Sequence, residues 1–394
     1  MSWPLVELQS FCRTGSGTTP SRKNAEFYEG TIPWVKSGEL RETEICSTAE
    51  HVSAEALEKT PLKLVPKGAL LVAMYGATVG RVGLLGIEAT TNQAVCHVVP
   101  DPSKADTGYM FHLLQAKAAE LVARGVGGAQ PNISQGIIKS LKIPVPPLEE
   151  QKRIAGILDQ ADALRRLRTR ALDKLNTLGQ AIFHEMFGDV VRNSKGWADK
   201  DYLESIADIA SGITKGRKTG DAPLRTVPYM AVSNVQDQRL KMDVVKEIEA
   251  TEAEIARYLL KQGDLLLTEG GDPDKLGRGC LWSGELPECI HQNHVFRVRI
   301  SDERVKPIFL QWLVGSQRGK RYFLSVAKQT TGIASINKTQ LKKFPLLLPP
   351  LDQQKEFESR ISVLAKSLGQ QVSAAKKEKS LFAALQHRAF RGEL

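Results

Sequence analysis

The side chains closest to a metal-binding set are Cys280, Cys289, His291 and His294. Their spacing, C-x8-C-x-H-x2-H, matches none of the usual structural zinc patterns. In an extended strand, alternation would put Cys289, His291 and Asn293 on one face and His294 on the other, so the four donors do not converge. A phosphate-cradling loop needs GxxxxGK[ST]; GATVGRVG at Gly76 has the glycines without the Gly-Lys pair and reads as a tight turn between strands. EGGDPDKLGR resembles part of a nuclease site, but no ExK motif accompanies it, and a polar loop suffices. A DNA methyltransferase needs an aromatic after its Pro-Pro; here the dipeptides stand in VPPL and LPPL, where Pro suits the first turn of a helix. His184 and His387 fall at helix ends, where a cation favours the dipole. Catalytic and metal chemistry are thereby set aside, and binding remains.

The elements that must position any binding residues are written twice. PNISQGIIKSLKIPVPPLEEQK, from Pro131, lies over ASINKTQLKKFPLLLPPLDQQK, from Ala334, without a gap. Ile133 falls on Ile336, Ile138 on Leu341, Ile143 on Leu346 and Val145 on Leu348. AIFHEMF and ALQHRAF keep the same offset of 203, with His184 on His387 and Phe187 on Phe390. Upstream, IPWVKSGEL at Ile32 resembles VPYMAVSNV at Val227, and LVPKGALLVA at Leu64 resembles LLKQGDLLLT at Leu259, both at offset 195. GRVGLL at Gly80 pairs with GRGCLW at Gly277, and TNQAVCHVV at Thr91 with HQNHVFRVR at His291. A slowly growing offset is what small loop insertions produce in a duplicated unit.

The repeat divides the 394 residues into a globular unit over 1–147, a helix over 148–188, a second globular unit over 189–350 and a final helix over 351–394. Short apolar runs bounded by Gly, Pro and Asn (TIPWV, GALLVAM, AVCHVV; TVPYMAV, GDLLLT, HVFRVRI) predict a mixed, β-rich unit. No run approaches the roughly 18 apolar residues of a membrane span. The N-terminus has no secretory pattern. Five cysteines in no CxxC pair read as reduced thiols of a cytoplasmic protein. The net charge of +10 favours a polyanionic partner. It divides as +1, +1, +5 and +3 over the four segments, so the first unit would bind nucleic acid through a local patch rather than a global field.

After Pro146-Pro147, apolar residues recur at Ile154, Ile157, Ala161, Leu164, Ala171, Leu175, Leu178 and Ile182, broken only at Arg168. After Pro349-Pro350, Phe357, Ile361, Leu364, Leu368, Ala375, Phe382 and Leu385 continue similarly. A 3.5-residue seam predicts a coiled coil. Each helix is the natural partner of the other, and the symmetry of the halves favours antiparallel packing. The basic run RRLRTR, Arg165 to Arg170, reads as a solvated or subunit-facing surface.

Two globular units each ending in PPLxxQ and a long helix, with GTTPSRKNAEFYEGTIPWVKSGEL near the start and HRAFRGEL at the end, resemble the specificity subunit of Type I restriction–modification systems. The resemblance covers essentially the whole chain. It implies an α+β fold with two pseudo-symmetric, mixed, β-rich target recognition domains separated by two long helices packed as an antiparallel coiled coil. It implies a non-catalytic DNA-reading subunit that binds an asymmetric bipartite target, one half-site per globular unit with the gap set by the helices. The partners implied are double-stranded DNA, DNA methyltransferase subunits and restriction or translocase subunits. No cofactor is expected in this chain; S-adenosylmethionine and ATP belong to the partner subunits. Two other readings are a coiled-coil scaffold that binds only protein, and a stand-alone DNA methyltransferase or nuclease.

Phosphates are met by Lys, Arg, Ser, Thr and backbone N–H in loops, and base edges by Arg, Lys, Asn and Gln. The first unit offers Thr18, Thr19, Ser21, Arg22 and Lys23, then Lys36, Ser37, Tyr75, Arg81, Asn92 and Gln93. The second offers Lys215, Arg217 and Lys218, then Ser233, Asn234, Arg278, Gln292, Asn293 and His294. The two sets come from corresponding places in the repeat.

Overall fold

In the first half the run Leu70–Ala73 (LLVA) is buried at every position, and in the second half so is Leu265–Thr268 (LLLT). A strand apolar on both faces must lie inside a sheet covered on both sides. The computed structural model, which describes residues 3–127, 132–330 and 332–394 (and not the Asp274 side chain), shows how each is covered. Leu70 and Val72 face one core, shared with a helix and the long-helix residues Ile154 and Leu158, while Leu71 and Ala73 face another. Leu265 and Leu267 likewise join Phe309, Leu313 and Phe357, and Leu266 points to the opposite cluster.

The sheets repeat strand for strand. In the first half Cys12–Ser16, Val95–Pro100, Leu70–Ala73 and Val82–Leu85 lie side by side, with Glu44–Ile45 added at the edge. In the second the order is Ala207–Ser211, Val295–Ile300, Leu265–Thr268 and Gly279–Leu281. A smaller mixed sheet follows in each. Ile32–Val35 pairs antiparallel with Glu50–Val52 and parallel with Thr90–Thr91. Arg225–Met230 pairs antiparallel with Lys246–Ala250 and parallel with Ile290–His291. Even the register is kept: Val35 faces Thr91 as Met230 faces His291.

The long helices run Leu148–Phe187 and Leu351–Ala389. The chain forms two compact units, Met1–Ala171 with Gln371–Leu394, and Leu172–Gln370, so each contains part of both helices. In the first unit the helices pack antiparallel: Arg165 lies over the Phe382 ring at 5.0 Å and Arg168 pairs with Glu378 at 2.6 Å, so the partner number falls as the residue number rises. In the second unit Phe183 and Phe187 pack on Phe357.

The expected seam of the central helix is kept in part: Ile154 is buried, and Ile157, Ala161, Leu175 and Ile182 are half-buried. Leu164, Ala171 and Leu178 are exposed, and the face turned inward carries Ala155, Leu158, Asp162 and Gly179. Counting apolar residues could not find the whole of this face, because two of its positions are Asp and Gly. Asp162 is buried because Arg165 and Arg166 neutralise it, at 2.6 and 2.5 Å. Gly179 is buried because the Trp312 ring occupies the space a side chain would need. The basic run is likewise not simply a solvated face: Arg166 also donates to Glu42 O, and Arg168 crosses to Glu378 at the one position where the apolar spacing fails.

Candidate nucleic-acid interface

In each unit the loops named from sequence leave the small mixed sheet and the central strand of the larger one. In the first, Thr18 N donates to Thr91 O at 2.9 Å, and Asn92 N to Val35 O at 2.9 Å. Gly17 must be glycine, since a Cβ there would collide with the carbonyls of Thr91 and Asn92. The Trp34 indole donates to Thr18 O at 3.1 Å and the Tyr28 hydroxyl to Pro20 O at 2.6 Å, which fixes the loop that carries Thr19, Ser21, Arg22 and Lys23. The Arg22 guanidinium stacks 4.1 Å from the Tyr28 ring centroid and bonds Glu50 at 2.6 Å. Lys36 shares the same carboxylate, and the hydrogen bonds from Lys36 and Arg22 hold Glu50 below the usual carboxylate range. Ser37, half-buried, opens the turn after Lys36. Tyr75 is half-buried just past the strand Leu70–Ala73, while Arg81 and Gln93 are exposed. The turns bearing them converge there: Ala73 N donates to Arg81 O and Met74 N to Ala94 O. Asn92 keeps a buried Oδ1 without a partner among the described residues.

The second unit builds the same edge with different side chains. Ile213 N donates to His291 O at 2.8 Å, Gln292 N to Met230 O at 3.0 Å and Asn293 N to Ile213 O at 2.9 Å. Lys215 and Lys218 are exposed. Arg217, at the position of Arg22, makes a two-pronged bond to Glu254 with both contacts at 2.5 Å, and donates to Glu249 O. Glu254 also caps its helix through Thr251 N, and chiefly through Arg217 it is held down to about 2. Thr268 N donates to Arg278 O as Ala73 N does to Arg81 O. Arg278 reaches Gln236 at 3.2 Å, and its Nε is buried with no partner among the described residues. His294 is exposed; its Nε2 receives the Asn293 amide at 3.3 Å, so Nδ1–H donates to Glu269 at 2.5 Å.

Two of the named residues are turned inward. Asn234 is buried, with its Oδ1 on Ala231 N and its Nδ2 on the carbonyls of Lys241 and Val244, so its amide is spent on its own loop. Arg217 is similarly committed to Glu254. The neighbouring Ser233 remains exposed. Three of the donors weighed for a metal are enclosed in the interior. Cys280 and Cys289 are core thiols that burial pushes up to about 12, and His291 is fully buried with Nδ1–H donated to Val295 O at 2.7 Å. Among the described residues no group of three or more His, Cys, Asp or Glu side chains is placed to hold a metal ion, and no helix is long and apolar enough to cross a membrane.

Sequence reasoning missed the carboxylates. Glu50, Glu254 and Glu269 each orient a cationic or imidazole group at this edge. It also missed why PPLxxQ recurs. Gln151 is buried, accepting from Asp106 N at 2.9 Å and donating to the carbonyls of Lys104 and Pro146. Gln354 does the same with Lys306 N, Arg304 O and Pro349 O. The recurrence of the motif was the available signal; its purpose was not legible from spacing.

The comparisons with known proteins agree with this duplicated plan. The family model described as Type I restriction modification DNA specificity domain matches residues 2–177 and again 202–375. The chain is 30% identical to the Type I restriction enzyme EcoR124I/EcoR124II specificity subunit of Escherichia coli, over 44% of each chain, so that alignment spans less than half of either protein. It is 25% identical to the MjaVIII specificity subunit of Methanocaldococcus jannaschii over 96% of this chain and 88% of that one. It is 23% identical to the EcoKI specificity subunit of Escherichia coli K12 over 100% and 89%. Two solved chains share the fold. One, from work on the assembly and conformational transition of the type I R-M system, has a TM-score of 0.62 at 18% identity over 100% of this chain and 98% of its own. The other, the type I S subunit from M. genitalium, has a TM-score of 0.57 at 14% identity over 98% and 96%. With the family model matched in both halves, the chain belongs to the Type I restriction–modification specificity subunits, the DNA sequence-recognition family of those systems.

Proposed function

We propose that the chain reads one asymmetric bipartite DNA sequence, each compact unit taking one half-site. The observation that carries this is one loop edge built twice on different side chains. Asn92 and Gln93 stand where the second unit has Gln292 and Asn293, and Lys36 stands where it has Ala231. Base edges are discriminated by such groups, so two edges that differ in them read different sequences. The cations of both edges supply the phosphate contacts that fix register. The long helices set the unread gap and dock DNA methyltransferase subunits and restriction subunits, which carry S-adenosylmethionine and ATP; the chain itself performs no catalysis.

The test has two stages. Methylation-aware sequencing of the host genome is expected to reveal one split, non-palindromic modified motif. Matched four-residue insertions are then placed in the long helices, beside Leu172 and beside Gln371. Four residues add about 6 Å, so the gap should grow by roughly two base pairs. An unchanged gap in a complex that still assembles and methylates would overturn the role of the helices. A complex whose footprints show no sequence preference would overturn the reading itself and leave a protein-binding scaffold.

A further inference from the structure

In the first unit the cations at the candidate interface fall into two groups. Arg22 and Lys36 share the Glu50 carboxylate, whereas Arg81 is exposed and has no acidic partner among the described residues. The same division runs along the central helix. Of the arginines in the run from Arg165 to Arg170, Arg165 and Arg166 pair with Asp162 and Arg168 with Glu378. Arg170 is exposed and has no acidic partner among the described residues. Charge left open while its neighbours are neutralised is charge available to something outside the chain.

One turn joins Arg81 to Arg170. Leu40 is buried, and Arg41 after it is exposed with no acidic partner among the described residues. Glu42 follows at φ 57°, in the left-handed region. Its N–H donates to Val82 O at 3.0 Å, so Arg41 and Arg81 each immediately precede one member of a bonded pair. Its carbonyl accepts from Arg166 Nη2 at 2.5 Å. Arg170 stands four residues after Arg166, on the same face of the helix and about 6 Å further along. Arg81, Arg41 and Arg170 thus form a row that leaves the reading edge and runs out along the helix. Glu39, in the same turn, does not neutralise it, because its carboxylate accepts from the N–H groups of Lys36 and Ala49, both at 2.8 Å.

The second unit builds the turn and not the row. Gln238 has φ 56° and donates its N–H to Gly279 O at 2.9 Å, as Glu42 does to Val82 O. Asp237 stands where the first unit has Arg41, and Arg278, in the place of Arg81, is bound to Gln236. A cation needed to take a half-site would be kept in both copies. One kept in a single copy, beside a helix that reads no base, fits a polyanion whose charges repeat without regard to sequence, which is the sugar–phosphate backbone of DNA. We infer that Arg41 and Arg170 hold phosphates of the unread gap, carrying DNA contact beyond the first half-site. This rests on the proposed reading of two half-sites separated by a gap.

The experiment measures salt-dependent affinity of the full chain in its assembled complex, for duplexes carrying the modified motif. In a second set of duplexes, neutral methylphosphonate linkages replace phosphates either in the gap or in the half-sites. Arg41→Gln and Arg170→Gln are each expected to lower the salt slope by about 1, and the double variant by about 2, with the preferred motif unchanged. Arg170→Lys keeps the charge and should keep the slope. Neutral gap linkages should weaken the wild type more than the double variant, while neutral half-site linkages weaken both equally. Slopes equal to the wild type's, or a double variant as sensitive to neutral gap linkages as the wild type, would overturn the inference. So would a loss of affinity that comes from release of methyltransferase subunits, seen by sedimentation, which would assign the row to a protein partner. A wild-type complex with no preference for the motif would instead overturn the underlying reading.

Discussion

The side-chain amide of Gln151 fixes the start of a helix it does not belong to, accepting a hydrogen bond from Asp106 N at 2.9 Å while its own Nε2 bonds the carbonyls of Lys104 and Pro146. Asp106 in turn caps its helix by accepting from Tyr109 N at 2.9 Å. One buried side chain therefore ties the long helix to the helix packed on the sheet. Replacing it leaves three polar backbone groups to be satisfied afresh. Gln151→Leu is expected to destabilise the first unit by roughly 2–4 kcal/mol, and Gln354→Leu the second by a similar amount. Denaturant unfolding followed separately for the two units checks this; a change below about 0.5 kcal/mol would show the bonds to be dispensable.

Glycine in the middle of a helix ordinarily costs up to about 1 kcal/mol against alanine. Gly156 and Gly369 have open space where a Cβ would stand, so alanine at either should stabilise by about 0.5–1 kcal/mol. Gly179 has the opposite sign. A Cβ there would lie 2.4 Å from the Trp312 ring, which Phe183 stacks against at 6.0 Å and 24°. Gly179→Ala should destabilise by about 1–3 kcal/mol through overpacking. In the first unit the equivalent pair is Phe382 and His112, ring centroids 6.3 Å apart, so the bulk has moved from one partner to the other. Thermal melts of the three variants give the signs directly.

His291 supplies a pH dependence. Burial pushes its pKa from the ordinary 6.5 down to about 4, against the hydrogen bond to Val295, which favours the proton, and with Arg297 adding to the depression. Between those two values the unfolded chain binds a proton that the folded unit does not. Stability of the second unit should therefore fall as pH drops from about 6.5 to about 4, by up to about 3 kcal/mol. Thr91 holds the matching position in the first unit. His291→Thr should flatten the slope in this window whatever it costs at neutral pH, as calorimetry across the pH range would reveal.

Glu50 restrains two cations at the candidate interface. Arg22→Ala should weaken DNA binding, and if Arg22 meets a phosphate the salt slope should fall by about 1 with sequence preference intact. Glu50→Gln should act the other way, steepening the slope by about 1 because Arg22 and Lys36 lose their internal counterion. A flatter slope on removing Glu50 would mean that the carboxylate's positioning of those cations outweighs its neutralisation of them.

The duplication was legible to the residue because apolar order survives divergence. The offset of 195 between Val35 and Met230 and of 200 between Thr91 and His291 reappears as one shared strand register. The pairing direction of the helices was legible from the symmetry of the halves. The inward face of the central helix was legible only in part, since Asp162 and Gly179 are inside for reasons held by other residues: two arginines in one case and an indole in the other. The contact residues were legible by loop and not by side chain. Residue type could not separate Ser233, which faces water, from Asn234, which holds its loop closed, nor could it show Glu254 occupying Arg217.

The division of the chain between units also orders its synthesis. The second unit is one continuous segment, Leu172–Gln370, whereas the first needs Gln371–Leu394 as well. Ala389 is fully enclosed in the first unit's core, and Phe382, Leu385 and Phe390 pack against it. A nascent chain thus holds every residue of its later unit before its earlier one is whole. Until the last helix emerges from the ribosome, the half translated first must wait with part of its interior open to solvent.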